Sequence, residues 1–558
     1  MRPNPELSTI PVAIVGGGPV GLVLALFLDR YSVRCVLLNT DDGSRQHPKG
    51  STQNARTLEH FRSLGISERV RKLGLPADHP TDVAYFTRFN AWELCRIRMP
   101  SESDKMRAVA AAHVTDQMPE PLLRANQMYV EAFLLGHART RPNITLRFGW
   151  EVEELAADSE GVTLQAKAAT GGVRESWRAQ YLVGCDGARS FVRRALGTVY
   201  RGFDALQQAY MGGRMIASHV RAPTLLHQCL GNRRGWQYWS INPERQMMLA
   251  SLNGKDEYLV FSQQAEASHP PDDAMIASMI LRASGTELPM QILGHRPWTA
   301  GVALVSERFG EGRVLLAGDA VHLFTPTGGF GMNTGIDDAA NLSWKLAAVL
   351  QGWGGANLLS SYEVERKPIA VRNTIAAREL AKRMASVPIS PAMEDAGADG
   401  EAARQRTGAY LATFGETFAS IGVQLGVRYD CSPIIADDGP APRDDFIRYS
   451  PSSVPGGRAP HVWLDAGRGR GSSLYDRLGA AFTLLRLGAT TIDTTALLDA
   501  ARLAGIPLKV LDVGSEAARD LYDRDLALIR PDQHVAWRGN AVPNDPRSLW
   551  ARLTSAST

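Results

Sequence analysis

Three observations predict an α/β fold built around a dinucleotide crevice. From Pro11 a β-branched strand (12–15), a glycine turn, an apolar helix (22–29) and a second strand (33–38) follow one another, the opening of a βαβ unit. Two later strands, at 181–183 and 313–316, also end on small or acidic residues, Gly184-Cys185-Asp186-Gly187 and Gly318-Asp319. After a Pro/Asp/Gly-rich stretch at 437–443, strand and helix patterns alternate again at 482–487, 495–503, 508–513 and 526–529, so a separate C-terminal α/β unit begins near residue 440.

Between these elements, 83–99 and 211–252 are rich in alternating and aromatic residues, Trp236, Tyr238 and Trp239 among them, which suits an antiparallel sheet on the substrate side. From Gly328 a helix runs to Leu350 and stops at Gly352, so its glycine-rich start should face a ligand. The 558 residues suffice for two or three domains, and the 61 basic against 58 acidic residues argue against nucleic acid as a partner. The five cysteines show no metal-ligand or disulfide spacing, so a metal site is not expected and a reducing, cytoplasmic location is. The apolar stretch 12–28 is broken by glycines and Pro19 and lacks a basic leader, so no membrane segment is expected.

Gly16-Gly17-Gly18-Pro19-Val20-Gly21 fits GxGxxG between a strand and a helix. Gly16, Gly18 and Gly21 would permit the tight turn and the approach of backbone to a pyrophosphate. The second strand should end on an acid for the adenosine ribose. Asn39 stands there, with Asp41 and Asp42 just beyond, and an amide can still hydrogen-bond hydroxyls. This fingerprint alone does not separate FAD from a nicotinamide nucleotide.

The run Tyr181-Leu182-Val183-Gly184-Cys185-Asp186-Gly187-Ala188-Arg189-Ser190-Phe191-Val192-Arg193 resembles the flavoprotein aromatic hydroxylases of the para-hydroxybenzoate hydroxylase fold. So do Gly318-Asp319-Ala320-Val321-His322 and the following Pro326-Thr327-Gly328-Gly329-Phe330-Gly331-Met332-Asn333-Thr334-Gly335. The resemblance implies a Rossmann-like FAD-binding domain, with Asp186 and Gly187 near the cofactor pyrophosphates and Arg189 and Arg193 close by. Asp319 at a strand end can accept from ribityl hydroxyls, and the amides of Gly331, Met332 and Asn333 open a helix whose positive end favours charge on a reduced flavin. Phe330 stands where the family often has Gln. The resemblance also brings Arg124 and Gln127 to the FAD and leaves Glu365 and Arg366 as a helix salt bridge. Arg45, with Lys49, lies where related enzymes place a basic residue against the pyrophosphate or the nicotinamide nucleotide, or else is a solvated loop charge.

Pro455-Gly456-Gly457-Arg458-Ala459-Pro460-His461-Val462-Trp463-Leu464 and Arg530-Pro531-Asp532-Gln533-His534-Val535-Ala536-Trp537-Arg538 resemble the phenol hydroxylase branch, whose terminal domain is thioredoxin-like. No cysteine follows Cys431, so dithiol chemistry is impossible there, leaving packing or subunit contact in a homodimer. The domains expected are a discontinuous FAD-binding domain (1–80, 100–200, 290–385), a substrate sheet (81–99, 201–289), a helical connection and pocket cover (386–439) and the thioredoxin-like unit (440–558).

The family implies that NADPH or NADH reduces FAD and that O2 forms a C4a-hydroperoxide. Its distal oxygen is then transferred to an electron-rich ring carbon of a small phenol or of a polycyclic natural product. His322 and Pro326 are the candidate catalytic positions. The imidazole titrates near neutrality and could relay a proton, against a structural role beside the flavin loop. Tyr238 and Trp239 are candidate substrate contacts, against simple core. The acid that some phenol hydroxylases use to activate substrate falls at Ser51, so activation must come from elsewhere or from the substrate itself. Trp236-Gln237-Tyr238-Trp239-Ser240-Ile241-Asn242-Pro243 is an interrupted version of the Trp-Trp-Ile-Pro signature of flavin halogenases, and its two extra residues place that reading behind hydroxylation.

Overall fold

The computed structural model describes residues 9–43, 47–203, 214–244, 246–263, 271–299, 302–465, 467–469, 471–488 and 492–556. Its first layer is an eight-stranded sheet whose parallel centre sets Val314–Leu316, Arg174–Gly184, Ile10–Val15, Cys35–Asn39 and Ile144–Phe148 side by side. Val314–Leu316, Ile10–Val15 and Cys35–Asn39 read as continuous apolar runs because both faces are covered. Val12, Ala13 and Ile14 are fully buried, and the helix Pro19–Arg30 lies against the long helix Phe330–Leu350. Parallel order brings the carboxyl ends of three strands to one edge. Val15 is level with Gly184, and Gly184 with Leu316, so the glycine turn, Asp186 and Asp319 face one crevice, the usual ligand position in open α/β sheets.

The second layer is a seven-stranded sheet in the order 291–299, 214–221, 257–263, 246–251, 237–241, 83–86, 93–97. It is antiparallel except where Gln237–Ser240 runs parallel to Val83–Phe86, a pairing no local turn signal could reveal. The strand Gln291–Thr299 pairs with Arg214–Arg221 in this sheet, so a border at 290 between sheet and FAD-binding domain falls one strand too early. Residue 211, at the start of one expected segment, lies outside the described residues.

The C-terminal unit has strands Phe482–Leu487, Leu508–Val513 and Leu526–Ile529 and helix Thr495–Leu503 at the expected residues, plus Val535–Gly539. Its first two strands are parallel and the last two antiparallel, a thioredoxin-like order. The unit does not have a wholly separate core. Phe482 meets Trp344, Trp353 and Trp550 edge-on with ring centroids 5.4–6.2 Å apart, so it is fused to the far end of the helix Phe330–Leu350. Among the described residues no helix is long and apolar enough to cross a membrane.

Candidate active site

The glycine turn is locked by contacts that leave no room for side chains. Gly16 has φ +114°, and a Cβ there would collide with the Cys185 carbonyl; one on Gly21 would strike the carbonyl of Gly16. Gly18 enters the helix in extended backbone and no side chain caps the turn, so the first amides remain open to an anion. Asn39 is differently employed from the expectation. Its Oδ1 accepts the Gly17 amide at 2.8 Å and its amide donates to Asp41, so the side chain braces the turn instead of presenting a free group to a ribose.

At the next strand end, one oxygen of Asp186 accepts the Val192 amide at 3.1 Å, while the other is buried with no partner. Gly187 takes φ +80°. Arg193 turns inward to the Tyr200 hydroxyl at 2.6 Å and the Ala188 and Ala320 carbonyls, so it ties the second motif to the third. Arg189 is exposed and Arg45 lies outside the described residues.

The third motif forms a left-handed pair, Gly328 (φ +84°) and Gly329 (φ +66°), ahead of the helix Phe330–Leu350, which has no side-chain cap. The amides of Gly331 and Met332 therefore lack helical partners at the positive end of the helix, whereas that of Asn333 is the first within reach of a helical carbonyl, that of Gly329. Asn333 is itself a clamp. Its Oδ1 accepts from the Asn54 amide (2.9 Å) and the Thr57 hydroxyl (2.7 Å), and its Nδ2 donates to the carbonyls of Thr52 and Gly329. Asp319 is reached by solvent through the crevice yet crowded by protein, and desolvation raises its carboxyl above the ordinary range despite His322 and Lys49. Gln127 opens the helix Gln127–Ala138, where its amide donates to Gly50 O and its side chain to Glu131.

His322 is not placed for a proton relay. Its Nε2 meets Asp338 Oδ2 at 2.7 Å in a fully buried pair, and Asp338 also accepts the Gly318 amide and Arg366 Nε. The ring holds the third motif onto the helix and does not line the cavity below, whereas Pro326 does.

That cavity, of about 520 Å³, lies between the motif loops and the second sheet. Thr327–Phe330 and Asp319 form one wall; Met215, Ala217, Trp239, Met248, Leu259 and Phe261 form the facing one. Strand alternation decides between the two aromatic candidates. Trp239 is on the cavity face, while Tyr238 points to the opposite face and packs with Phe86, Leu249 and Ile276, so its expected substrate contact is corrected. Arg124 also lines the cavity. Its Nη1 donates to Thr52 Oγ1 at 2.6 Å, its guanidinium sits 3.6 Å above the Trp236 ring, and its Nε has no partner. Burial with no compensating acid pulls it down to about 9, still charged at neutral pH. Ser51 is in the wall too, accepting from Asn126 Nδ2. Sequence reading missed His47, Gln237 and Arg296. The period-two pattern of the strands would have placed Gln237 beside Trp239, but Arg296 required knowing that 291–299 joins the sheet.

Beneath the loops lies a buried ionic network. Glu365 and Arg366 are not a pair with each other. Arg366 binds Asp337 and Asp338 on the long helix, and Glu365 binds Lys345 and Arg530, the latter at 2.6 Å. Arg458 grips Glu59 at 2.6 Å, and Arg56 reaches Gln533 Oε1 at 2.7 Å. The C-terminal segments thus anchor the two helices that carry the cavity wall.

The open amides at two helix starts, the unpartnered Asp186 oxygen, the left-handed glycine pair and the unpartnered Arg124 Nε form a donor and acceptor set that fits FAD. The comparisons agree. Residues 9–377 match the FAD binding domain family and 452–556 the aromatic-ring hydroxylase C-terminal family. The FAD-dependent monooxygenase apdD of Emericella nidulans is 31% identical over 97% of this chain and 89% of its own length. A putative polyketide hydroxylase of Streptomyces halstedii is 30% identical over 96% and 94%. The structure of the rebeccamycin biosynthetic enzyme RebC with reduced flavin superposes with a TM-score of 0.87 at 31% identity, covering 99% of this chain and all of that one. With its two family matches and its crevice of glycine turns, the chain belongs to the FAD-dependent aromatic-ring hydroxylases, enzymes that draw on NADPH or NADH.

Proposed function

We propose that this hydroxylase inserts one oxygen atom of O2 into a multi-ring phenolic substrate held between the second sheet and the Thr327–Phe330 loop. The observation that carries this reading is the broad, largely apolar sheet wall, in which Met215, Ala217, Trp239, Met248, Leu259 and Phe261 face the flavin loop across the cavity. Mostly apolar walls of this kind hold drug-sized ligands, and a single ring would cover only part of this one. Ala217 and Ala250 keep the wall open where larger side chains would close it. The relatives named for a polyketide and for rebeccamycin biosynthesis support a natural-product substrate.

FAD supplies the electron and oxygen chemistry when bound. The roles proposed for the residues follow from their places. Gly16, Gly18 and Gly21 with the Asp186–Gly187 turn hold the dinucleotide, and Asp319 takes its hydroxyls. The amides of Gly331 and Met332 stabilise negative charge on the ring, and Trp239 with the sheet wall orients the substrate and excludes water.

The test is anaerobic reduction of the purified yellow protein by NADPH and by NADH, with and without phenol and polycyclic phenolics, followed by O2 and product mass. Faster reduction and a gain of one oxygen with a polycyclic phenolic, and neither with phenol, is the expected result. Turnover of phenol alone would overturn the multi-ring reading, and peroxide as the sole product with every compound would overturn hydroxylation of this class.

A further inference from the structure

Among the described residues of the cavity's sheet wall, away from Arg124 on the flavin side, Arg296 is the charged one, and no carboxylate stands in that wall with it. Arg366 and Arg458, buried away from the cavity, are neutralised in place, the first by Asp337 and Asp338 and the second by Glu59. Arg296 stands in the edge strand Gln291–Thr299 opposite Ala217, a cavity-wall residue, and residues directly opposite across a strand pair point to the same side. It makes no ion pair with any carboxylate among the described residues.

His47 lies in the same corner. Its Nε2 is buried without a hydrogen-bond partner. Burial first, then the charges of Arg296, His219 and Lys49, push the imidazole down to about 4, so at neutral pH it offers a hydrogen bond without adding charge. The neighbouring carboxylate that could have neutralised this corner is already engaged: Glu257 holds His219 at 3.0 Å and Arg221 at 2.8 Å. A guanidinium in a cavity wall with no acid, beside an imidazole lacking its partner, is an arrangement completed by an anionic oxygen.

We infer that the substrate is an anionic aromatic, a multi-ring phenol bearing a carboxylate, and that Arg296 and His47 bind that carboxylate at the mouth of the cavity. This rests on the multi-ring reading above and adds the group by which the substrate is oriented. A phosphate of the nicotinamide nucleotide shares the same chemistry, so the experiment must separate the two.

The probes are 1-hydroxy-2-naphthoate and 1-naphthol, which differ only by the carboxylate, titrated into the holoenzyme and read by perturbation of the flavin visible spectrum. The naphthoate is expected to bind about tenfold more tightly than the naphthol, the scale of a charge-assisted hydrogen bond, with the preference shrinking as salt rises. Arg296→Met should abolish the preference while leaving naphthol binding and the KM for NADPH and NADH unchanged. The side chain of Arg296 is exposed at the wall, so the variant is expected to fold, and retained flavin absorbance verifies it. Equal binding of the two probes, no naphthoate binding at millimolar concentration, a preference that survives Arg296→Met, or a loss confined to NADPH would each overturn the inference. Because binding is read without turnover, a wild-type enzyme that hydroxylates neutral polycycles with no carboxylate preference sinks only this inference. One that keeps the preference but hydroxylates nothing sinks the function.

Discussion

Trp239 and Tyr238 show how one residue of register separates two roles. Trp239 shares the cavity face with Met248 and Phe261, whereas Tyr238 is buried against Phe86 and Ile276 on the other side of the sheet. Trp239→Ala should therefore raise the KM for a multi-ring substrate about tenfold or more, the loss of ~1.5–3 kcal/mol of apolar contact. Tyr238→Phe should leave KM unchanged and shift only the melting temperature. Steady-state kinetics on both variants checks this, and a larger kinetic effect from Tyr238→Phe would reverse the assignment. Asn39 gives a second case. With its Oδ1 on the Gly17 amide, Asn39→Ala should loosen the glycine turn by about 1 kcal/mol and weaken FAD binding several-fold, measured by fluorescence of released flavin.

At the scale of elements, the helices Phe330–Leu350 and Ser360–Ala385 are held by buried ion pairs whose carboxylates titrate only under acid. Asp337 and Asp338 are kept low by Arg366, and Glu365 by Arg530 and Lys345, each against the opposing cost of burial. Depressed carboxylates contribute stability that is present above their unfolded values, near 4, and lost as pH falls below them. The buried His534, lowered to about 4 from 6.5, adds an earlier step. Below pH 6.5 the unfolded chain takes up a proton that the native ring refuses, so stability falls between 6.5 and about 4. Melting temperature should be level between about pH 6.5 and 8, decline below 6.5 and drop more steeply below about 4, and His534→Gln should lessen the first decline, which the buried His461, lowered to about 3, shares. Arg530→Met, which strands Asp532 and leaves Glu365 with Lys345 alone, should cost about 3–5 kcal/mol in denaturant unfolding. How far these elements were legible depends on how local their cause is. The glycine turns and the C-terminal strands emerged at their residues because spacing and alternation are local signals. The parallel pairing of 237–240 with 83–86 and the place of 291–299 did not, since a strand's sequence does not name its partner. Asp338 was passed over because its link to His322 spans 16 positions, and the partner of Arg56 was not legible because its link to Gln533 spans 477.

For the whole molecule, the C-terminal unit is a structural part of the catalytic body. A thioredoxin-like domain with its own core could be removed with little harm, but here Phe482, Leu484, Leu528 and Trp550 belong to the same hydrophobic cluster as Ile14, Leu342 and Trp344. Removing it would also leave Glu59 with Arg56 alone and Glu365 with Lys345 alone, each having lost the arginine, 458 or 530, that grips it from the C-terminal unit. Weakening two buried ion pairs and exposing an aromatic cluster together draw on much of the ~5–15 kcal/mol that holds a typical protein together. A chain ending at residue 451 should therefore fail to accumulate as soluble yellow protein, and the full chain should unfold in one cooperative transition, with flavin release and loss of helix coinciding. Calorimetry with flavin fluorescence on the same ramp tests this. Two separated transitions, or a truncated chain that still binds FAD, would show that the C-terminal unit is an appendage, with its buried arginines neutralising charges the remaining chain can manage alone.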